Sequence, residues 1–124
     1  MRKTLILGIS VATAVAVLSA CSLRNVSYSK GVQPILATNC SGCHAPGKPG
    51  FEASGLDTTT YQSLMQGGKF GALIKPGDAF TSALNMLVEG RAHRSIRMPH
   101  GKDKLSAEEI ETLKIWVNEG AKNN

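Results

Sequence analysis

Apolar residues recur every three to four positions near the end of the chain, the spacing of a helix that packs on one face. The stripe consists of Ile110, Leu113, Trp116 and Val117. Ser106 and Glu109 have the spacing of a capping box at its start, and Leu105 can pack against Ile110 across the first turn. Gly120 is a suitable terminator. The pattern therefore predicts one amphipathic helix with defined ends.

Three shorter segments, residues 29–37, 59–68 and 76–90, also show helical spacing between glycines and prolines. Residues 45–57 contain two prolines and three glycines and are predicted to form a loop. No stretch alternates as a strand does, so we expect a small all-α domain. The apolar face of the segment at 76–90 would consist of Phe80, Leu84, Leu87 and Val88.

The first twenty residues differ from the rest of the chain. A positive start precedes an uncharged run of 16 residues, Leu5 to Ala20, which is shorter than the roughly 20 residues that span a bilayer. This pattern predicts a signal peptide over residues 1–20. The letters LSAC resemble a bacterial lipobox, which implies a lipidated Cys21 at the mature N-terminus. An ordinary secreted protein or an uncleaved anchor are the alternatives.

We expect residues 21–27 to form the lipidated N-terminus and a tether, and residues 28–124 to form one domain. Loss of Arg2 and Lys3 with the signal lowers the formal net charge of +5 by two, to +3. That charge is mild, and no basic tract carries interleaved aromatics, so no nucleic-acid partner is expected. The expected domain has six aromatic residues and is rich in glycine. Such a chain buries little surface by itself, and a large apolar group would complete its core.

The motif CSGCH, residues 40–44, is compatible with three kinds of site. A zinc site usually needs four protein ligands, and a second cysteine pair does not occur in the chain. A redox disulfide would accompany a βαβ pattern, which is also missing from the sequence. The third kind is covalent attachment of haem c, in which Cys40 and Cys43 form thioethers and His44 binds iron. The predicted export signal and the small core that the chain can form by itself favour this third interpretation.

The second iron ligand must come from elsewhere in the chain. Met98, followed by Pro99, is the best candidate, because it lies 54 residues beyond His44 and the chain can return on the other face. His93 and His100 flank Met98 and remain competitors. Met65 and Met86 lie in segments of helical spacing and are expected in the core.

Residues 28–121 resemble a class I cytochrome c domain of bacteria. The resemblance rests on QPILATNCSGCH, KPGDAFTSALNMLVEG and MPHGKDKLSAEEIETLKIWVNEGA. It implies a cytochrome c-like fold around one covalent haem c, thioethers at Cys40 and Cys43, iron ligands His44 and Met98, and packing of the Trp116 helix against the N-terminal helix.

We expect a monohaem electron carrier, not an enzyme, tethered by lipid on Cys21 to the periplasmic face of a bacterial membrane, with redox proteins as partners. A haem-based sensor with an open iron position is the rival function, and a subunit that delivers electrons to one enzyme is another. Five basic residues cluster near Met98 in the sequence. They would contact haem propionates, contact an acidic partner protein or simply face solvent. This basic cluster consists of Arg91, Arg94, Arg97, Lys102 and Lys104.

Overall fold

The computed structural model describes residues 25–124, which form short helices joined by turns. The predicted signal peptide, Cys21 and the first part of the predicted tether lie outside these residues. A π-helical turn, Tyr28–Val32, runs into the first α-helix. The α-helices are α1 (Gln33–Asn39), α2 (Pro49–Ser54), α3 (Tyr61–Gln66), α4 (Ala83–Glu89) and α5 (Ala107–Asn118).

Residues 25–124 contain no strand, only an isolated bridge between Gly68 and Gly71. This confirms the all-α, cytochrome c-like class expected from the sequence. None of the helices in this part of the chain is long and apolar enough to cross a membrane.

The start of α5 follows the sequence prediction closely. Ser106 accepts a hydrogen bond from the backbone of Glu109 at 3.1 Å, and the Glu109 carboxylate accepts one from the backbone of Ser106 at 2.8 Å. Leu105 is buried beside this turn, and Ile110 packs against the core. Local sequence therefore determines where α5 begins, because the capping groups are three residues apart.

The core lies where α5 packs against the N-terminal helical segment. Trp116 and Tyr28 are both buried, with ring centroids 5.6 Å apart, and Tyr61 stands edge-on to Tyr28 at 5.1 Å. Val26 N–H donates to the Glu119 carboxylate at 2.9 Å, so the chain is attached to α5 two residues before the expected domain start. The packing of the two terminal helices implied by the resemblance is confirmed.

Helix α2 lies inside the segment that was predicted to be a loop, and that prediction was wrong. Pro49 occupies the first turn of α2, and Gly55 ends it with a left-handed φ of 69°. Proline just inside a helix and glycine just past its end are a recognised signature, which the density of prolines and glycines concealed. A helix of six residues therefore begins five residues after His44.

The predicted helix over 76–90 is also shorter than expected, since α4 begins at Ala83. The Ser82 hydroxyl accepts from Lys75 N–H and donates to the Asp78 carbonyl, each at 2.8 Å. These bonds stabilise a turn in place of helix. Phe80, expected on the apolar face, is 76% exposed and lies under the guanidinium of Arg91.

Candidate functional site

The motif CSGCH continues α1 as a tight turn. The Cys40 carbonyl accepts hydrogen bonds from Cys43 N–H at 3.0 Å and from His44 N–H at 2.9 Å. Residues three apart on such a turn lie on the same side of it. The backbone therefore presents both thiols and the imidazole of His44 to one region.

That region is a cavity of about 730 Å³ between α1, α2, α4 and the segment 96–102. Such a volume is within the roughly 300–1,000 Å³ of cofactor sites. Its apolar wall is formed by Leu56, Phe70, Leu73, Leu84, Leu87, Val88, Ile96 and Pro99. Its potential covalent and iron-binding groups are Cys40, Cys43, His44, Met86, Met98 and His100.

Helix α2 holds the ring of His44, and the chain that follows α2 holds its backbone. The His44 carbonyl accepts from Thr58 N–H at 2.9 Å and from the Thr58 hydroxyl at 3.1 Å, and Thr58 is buried. The Nδ1 atom of His44 lies 3.4 Å from the hydroxyl oxygen of Ser54, the last residue of α2. Burial lowers the pKa of the imidazole, which favours the neutral ring that binds metals.

The environment of Cys40 differs from that of a reactive thiol. Burial raises the pKa of Cys40 to about 11, and the nearby positive charge of Lys102 opposes this only in part. Redox-active and metal-bound cysteines instead sit where the thiolate is stabilised. The two thiols are free, and the described residues contain no sheet on which a thioredoxin-like site would lie. Nor do residues 25–124 group three His, Cys, Asp or Glu side chains that could hold a metal ion.

The segment that carries Met98 forms the opposite side of the cavity. Met98 N–H donates to the Leu87 carbonyl at 3.2 Å, which holds the segment against the end of α4. Met98 is half-buried, and its peptide bond to Pro99 is cis. His100 lines the cavity as well but is exposed.

The other candidate ligands separate by position. His93 does not line the cavity, and its Nδ1 lies 2.8 Å from the Ser95 hydroxyl. Met65 packs against the core, as predicted from the sequence. Met86, also assigned to the core, lines the cavity instead. Sequence spacing could not reveal this, because α4 lies between the core and the cavity and has apolar residues on both faces.

The basic residues near Met98 are divided among different environments. Lys102 is the only one of the five that lines the cavity. Arg91 turns away, pairs with Glu89 and donates to the Phe80 carbonyl at 2.8 Å. Arg94 and Arg97 are exposed. Of these five residues, Lys102 is therefore the one whose position suits a contact with a haem propionate inside the cavity.

Glycines allow backbone segments to meet at one edge of the cavity. A Cβ on Gly67 would lie 2.2 Å from the Gly71 carbonyl oxygen, and one on Gly68 would lie 2.4 Å from the Ser54 carbonyl oxygen. Gly68 and Gly71 line the cavity. The close contacts of this glycine-rich turn, residues 66–72, are therefore between backbone segments.

Comparison with known proteins supplies the family. The family described as Planctomycete cytochrome C matches residues 40–101, which are half of the chain. The chain belongs to this cytochrome c family. No curated protein and no solved structure matches the chain significantly.

Membership of a cytochrome c family implies covalently bound haem c, and the cavity of this cytochrome fits such a group. Its wall is predominantly apolar, and its volume suits a cofactor. The thiols of Cys40 and Cys43 lie at the wall with the imidazole of His44, and the thioether of Met98 comes from another part of the chain. These are the donor types of covalent attachment and of His/Met ligation. The missing core volume inferred from the sequence thus corresponds to this cavity.

Proposed function

We propose that the chain is a monohaem electron carrier and not an enzyme. Cys40 and Cys43 hold the haem through thioethers, His44 is its proximal ligand and Met98 its distal ligand. The observation that carries the proposal is the single cavity onto which all four side chains open. When bound, haem supplies a one-electron Fe(III)/Fe(II) couple.

The residues of the chain hold the site and keep water away from it. The turn at Cys40 orients the two thiols, Thr58 fixes the His44 backbone, and Leu87 holds the segment of Met98. Leu84 and Val88 are buried and line the cavity. A site held from several elements changes little in geometry between oxidation states, which suits electron transfer.

Covalent attachment is tested by extracting the purified protein with acidified organic solvent after denaturation. Haem should stay with the polypeptide of the wild type. It should leave a variant in which both Cys40 and Cys43 are alanine, if that variant binds haem at all. Release of haem from the wild type would contradict thioether attachment.

The distal ligand decides between a carrier and a sensor. Met98 is favoured because it is half-buried and anchored through Leu87, whereas His100 is exposed. Met98→Ala should abolish the near-infrared sulfur-to-iron charge-transfer band of the ferric protein, lower the potential and allow CO to bind. His100→Ala and the volume-conserving Met86→Leu should retain the band.

Other results would change the assignment. Loss of the band only in Met86→Leu would place the sulfur ligand on α4. If the wild type has no such band and His100→Ala changes its spectrum, the ligand is His100. A wild type that binds CO readily would support the sensor function over the carrier.

We further propose that lipid on Cys21 holds the domain at the periplasmic face of a membrane. The support comes from the apolar run before Cys21 and from the attachment of Val26 to Glu119. Five residues from Cys21 to Val26 reach at most about 18 Å. The domain then works close to the bilayer. Mass spectrometry of the N-terminal peptide should find a diacylglyceryl group on Cys21, and a retained Met1 or an unmodified Cys21 would contradict it.

The partner proposed for this carrier is a redox protein with an acidic face. Phe70 and Ile96 line the cavity yet are 90% and 51% exposed, so the cavity mouth has an apolar rim. The exposed side chains of Arg94 and Arg97 flank Ile96 and supply positive charge. Opposite charges on a partner accelerate association, and salt weakens the effect.

Electron-transfer rates with candidate periplasmic redox proteins, measured as a function of ionic strength, test this surface. The double substitution Arg94→Glu and Arg97→Glu should slow bimolecular transfer and flatten its salt dependence. Lys30→Glu together with Lys122→Glu makes the same change in net charge at two exposed positions that do not line the cavity, and should have less effect. Equal effects from both changes would indicate that net charge, not this rim, determines association.

A further inference from the structure

The side chain of Ser54 lies between helix α2 and the imidazole of His44. Its hydroxyl donates to the Gly50 carbonyl at 2.6 Å, and it accepts from Leu56 N–H at 3.2 Å. Ser54 Oγ is also 3.4 Å from His44 Nδ1. The same oxygen thus has one strong acceptor and two nitrogen neighbours.

These contacts favour hydrogen on one of the two ring nitrogens of His44. A serine hydroxyl has one hydrogen to donate, and the short bond to Gly50 uses it. Ser54 Oγ can therefore interact favourably with His44 Nδ1 only as an acceptor. The neutral imidazole then carries its hydrogen on Nδ1 and its lone pair on Nε2.

The position of Ser54 is itself supported from several sides. Its carbonyl accepts from Lys69 N–H at 2.8 Å, which joins it to the glycine-rich turn. Gly50 allows α2 to approach closely, because a Cβ there would lie 3.0 Å from His44 Cε1. The Ser54 hydroxyl oxygen is therefore one of several closely packed atoms around the imidazole of His44.

We propose that Ser54 is a positioning residue for His44, which accepts the Nδ1 hydrogen bond, fixes the ring rotation and leaves Nε2 to bind iron. The inference rests on the proposed role of His44 as proximal ligand. A partner on the second nitrogen raises the basicity of a ligating histidine. A more basic imidazole stabilises ferric iron, so Ser54 lowers the midpoint potential of the cytochrome.

Redox titration and ferric electron paramagnetic resonance of the haem-loaded protein test the proposal. Ser54→Ala should raise the midpoint potential and change the low-spin g values, while Ser54→Thr, which retains a hydroxyl, should restore both towards the wild type. Ser63→Ala removes a hydroxyl outside the cavity and should change neither. Unchanged potential and g values in Ser54→Ala would overturn the role of Ser54.

A second measurement needs no variant to fold. In the diamagnetic ferrous wild type, nitrogen NMR should show His44 with hydrogen on Nδ1 and protected from exchange with solvent. An Nδ1 hydrogen that exchanges as fast as that of an exposed imidazole would overturn the proposal. Failure of the proposed function itself looks different: His44→Ala would then leave the wild-type iron spectrum unaltered.

Discussion

Gly50 provides the sharpest test of how closely α2 packs against the CSGCH turn. A Cβ at this position would lie 2.8 Å from the Cys43 carbonyl oxygen and 3.0 Å from His44 Cε1. Ordinary contacts of a Cβ begin at 3.4 Å, so α2 would have to withdraw by 0.6 Å. The obstacle to Gly50→Ala is therefore steric, because the neighbouring atom is backbone and cannot rotate away.

Two opposing effects determine the stability of Gly50→Ala. Alanine is favoured over glycine within a helix by about 1 kcal/mol. Overpacking against a well-packed neighbour costs about 1–3 kcal/mol. Position 50 lies in the first turn of a short helix, where the full propensity gain is not realised. We therefore expect a net loss of about 1 kcal/mol in the free energy of unfolding.

Gly42 offers a matched control within the same motif. Nothing lies within 4 Å of a Cβ built there, so Gly42→Ala should change stability by less than about 0.5 kcal/mol. Urea unfolding of the haem-loaded proteins, followed by far-ultraviolet circular dichroism, measures both. With a slope of about 2 kcal/mol per molar, the midpoint of Gly50→Ala should fall by about 0.5 M. A Gly50→Ala protein as stable as the wild type would refute the close packing of α2.

Helix α5 supplies further measurable contacts, each accessible by urea unfolding. Ser106→Ala removes the N-cap and should lower the free energy of unfolding by about 1 kcal/mol, whereas Ser106→Asp should largely preserve it. Leu113→Ala truncates a fully buried side chain and should cost about 2–5 kcal/mol; a smaller loss than for exposed Lys114→Ala would contradict its place in the core. Hydrogen bonds from Ser106 N–H and from the side chain of Asn39 hold the pKa of Glu109 below its usual value, although desolvation opposes them. A lowered folded pKa stabilises the protein above the unfolded pKa and ceases to do so as pH falls through the folded value. The stability difference between wild type and Glu109→Gln should therefore shrink on acidification, and a difference independent of pH would exclude this linkage.

Helix α5 and the CSGCH turn could be predicted because their determinants are close together in the sequence. The capping groups of Ser106 and Glu109 are three residues apart, and the stripe that contains Trp116 repeats with the helical period. The pair Cys40 and Cys43 is likewise separated by one turn. Both partners of each interaction lie within one helical turn, so a local segment of sequence is enough to predict the contact.

Features that depend on competing local bonds were predicted less well. Residues 76–82 have helical spacing, but the Ser82 hydroxyl stabilises a turn and α4 begins seven residues later than expected. Phe80 consequently lies on the surface and not on the apolar face of a helix. The opposite error occurred at residues 49–54. There the sequence predicted a loop, but Pro49 begins a helix that Gly55 ends.

The sequence by itself determined the helical class, the bounds of α5 and the residues that point to covalent haem. Only the tertiary structure decided which distant side chains share the cavity with His44. It brought Met86 to the wall, left His93 outside and directed Arg91 towards Glu89 and Phe80. Membership of a cavity wall depends on how helices far apart in the chain pack together, and neither spacing nor residue type encodes that packing locally.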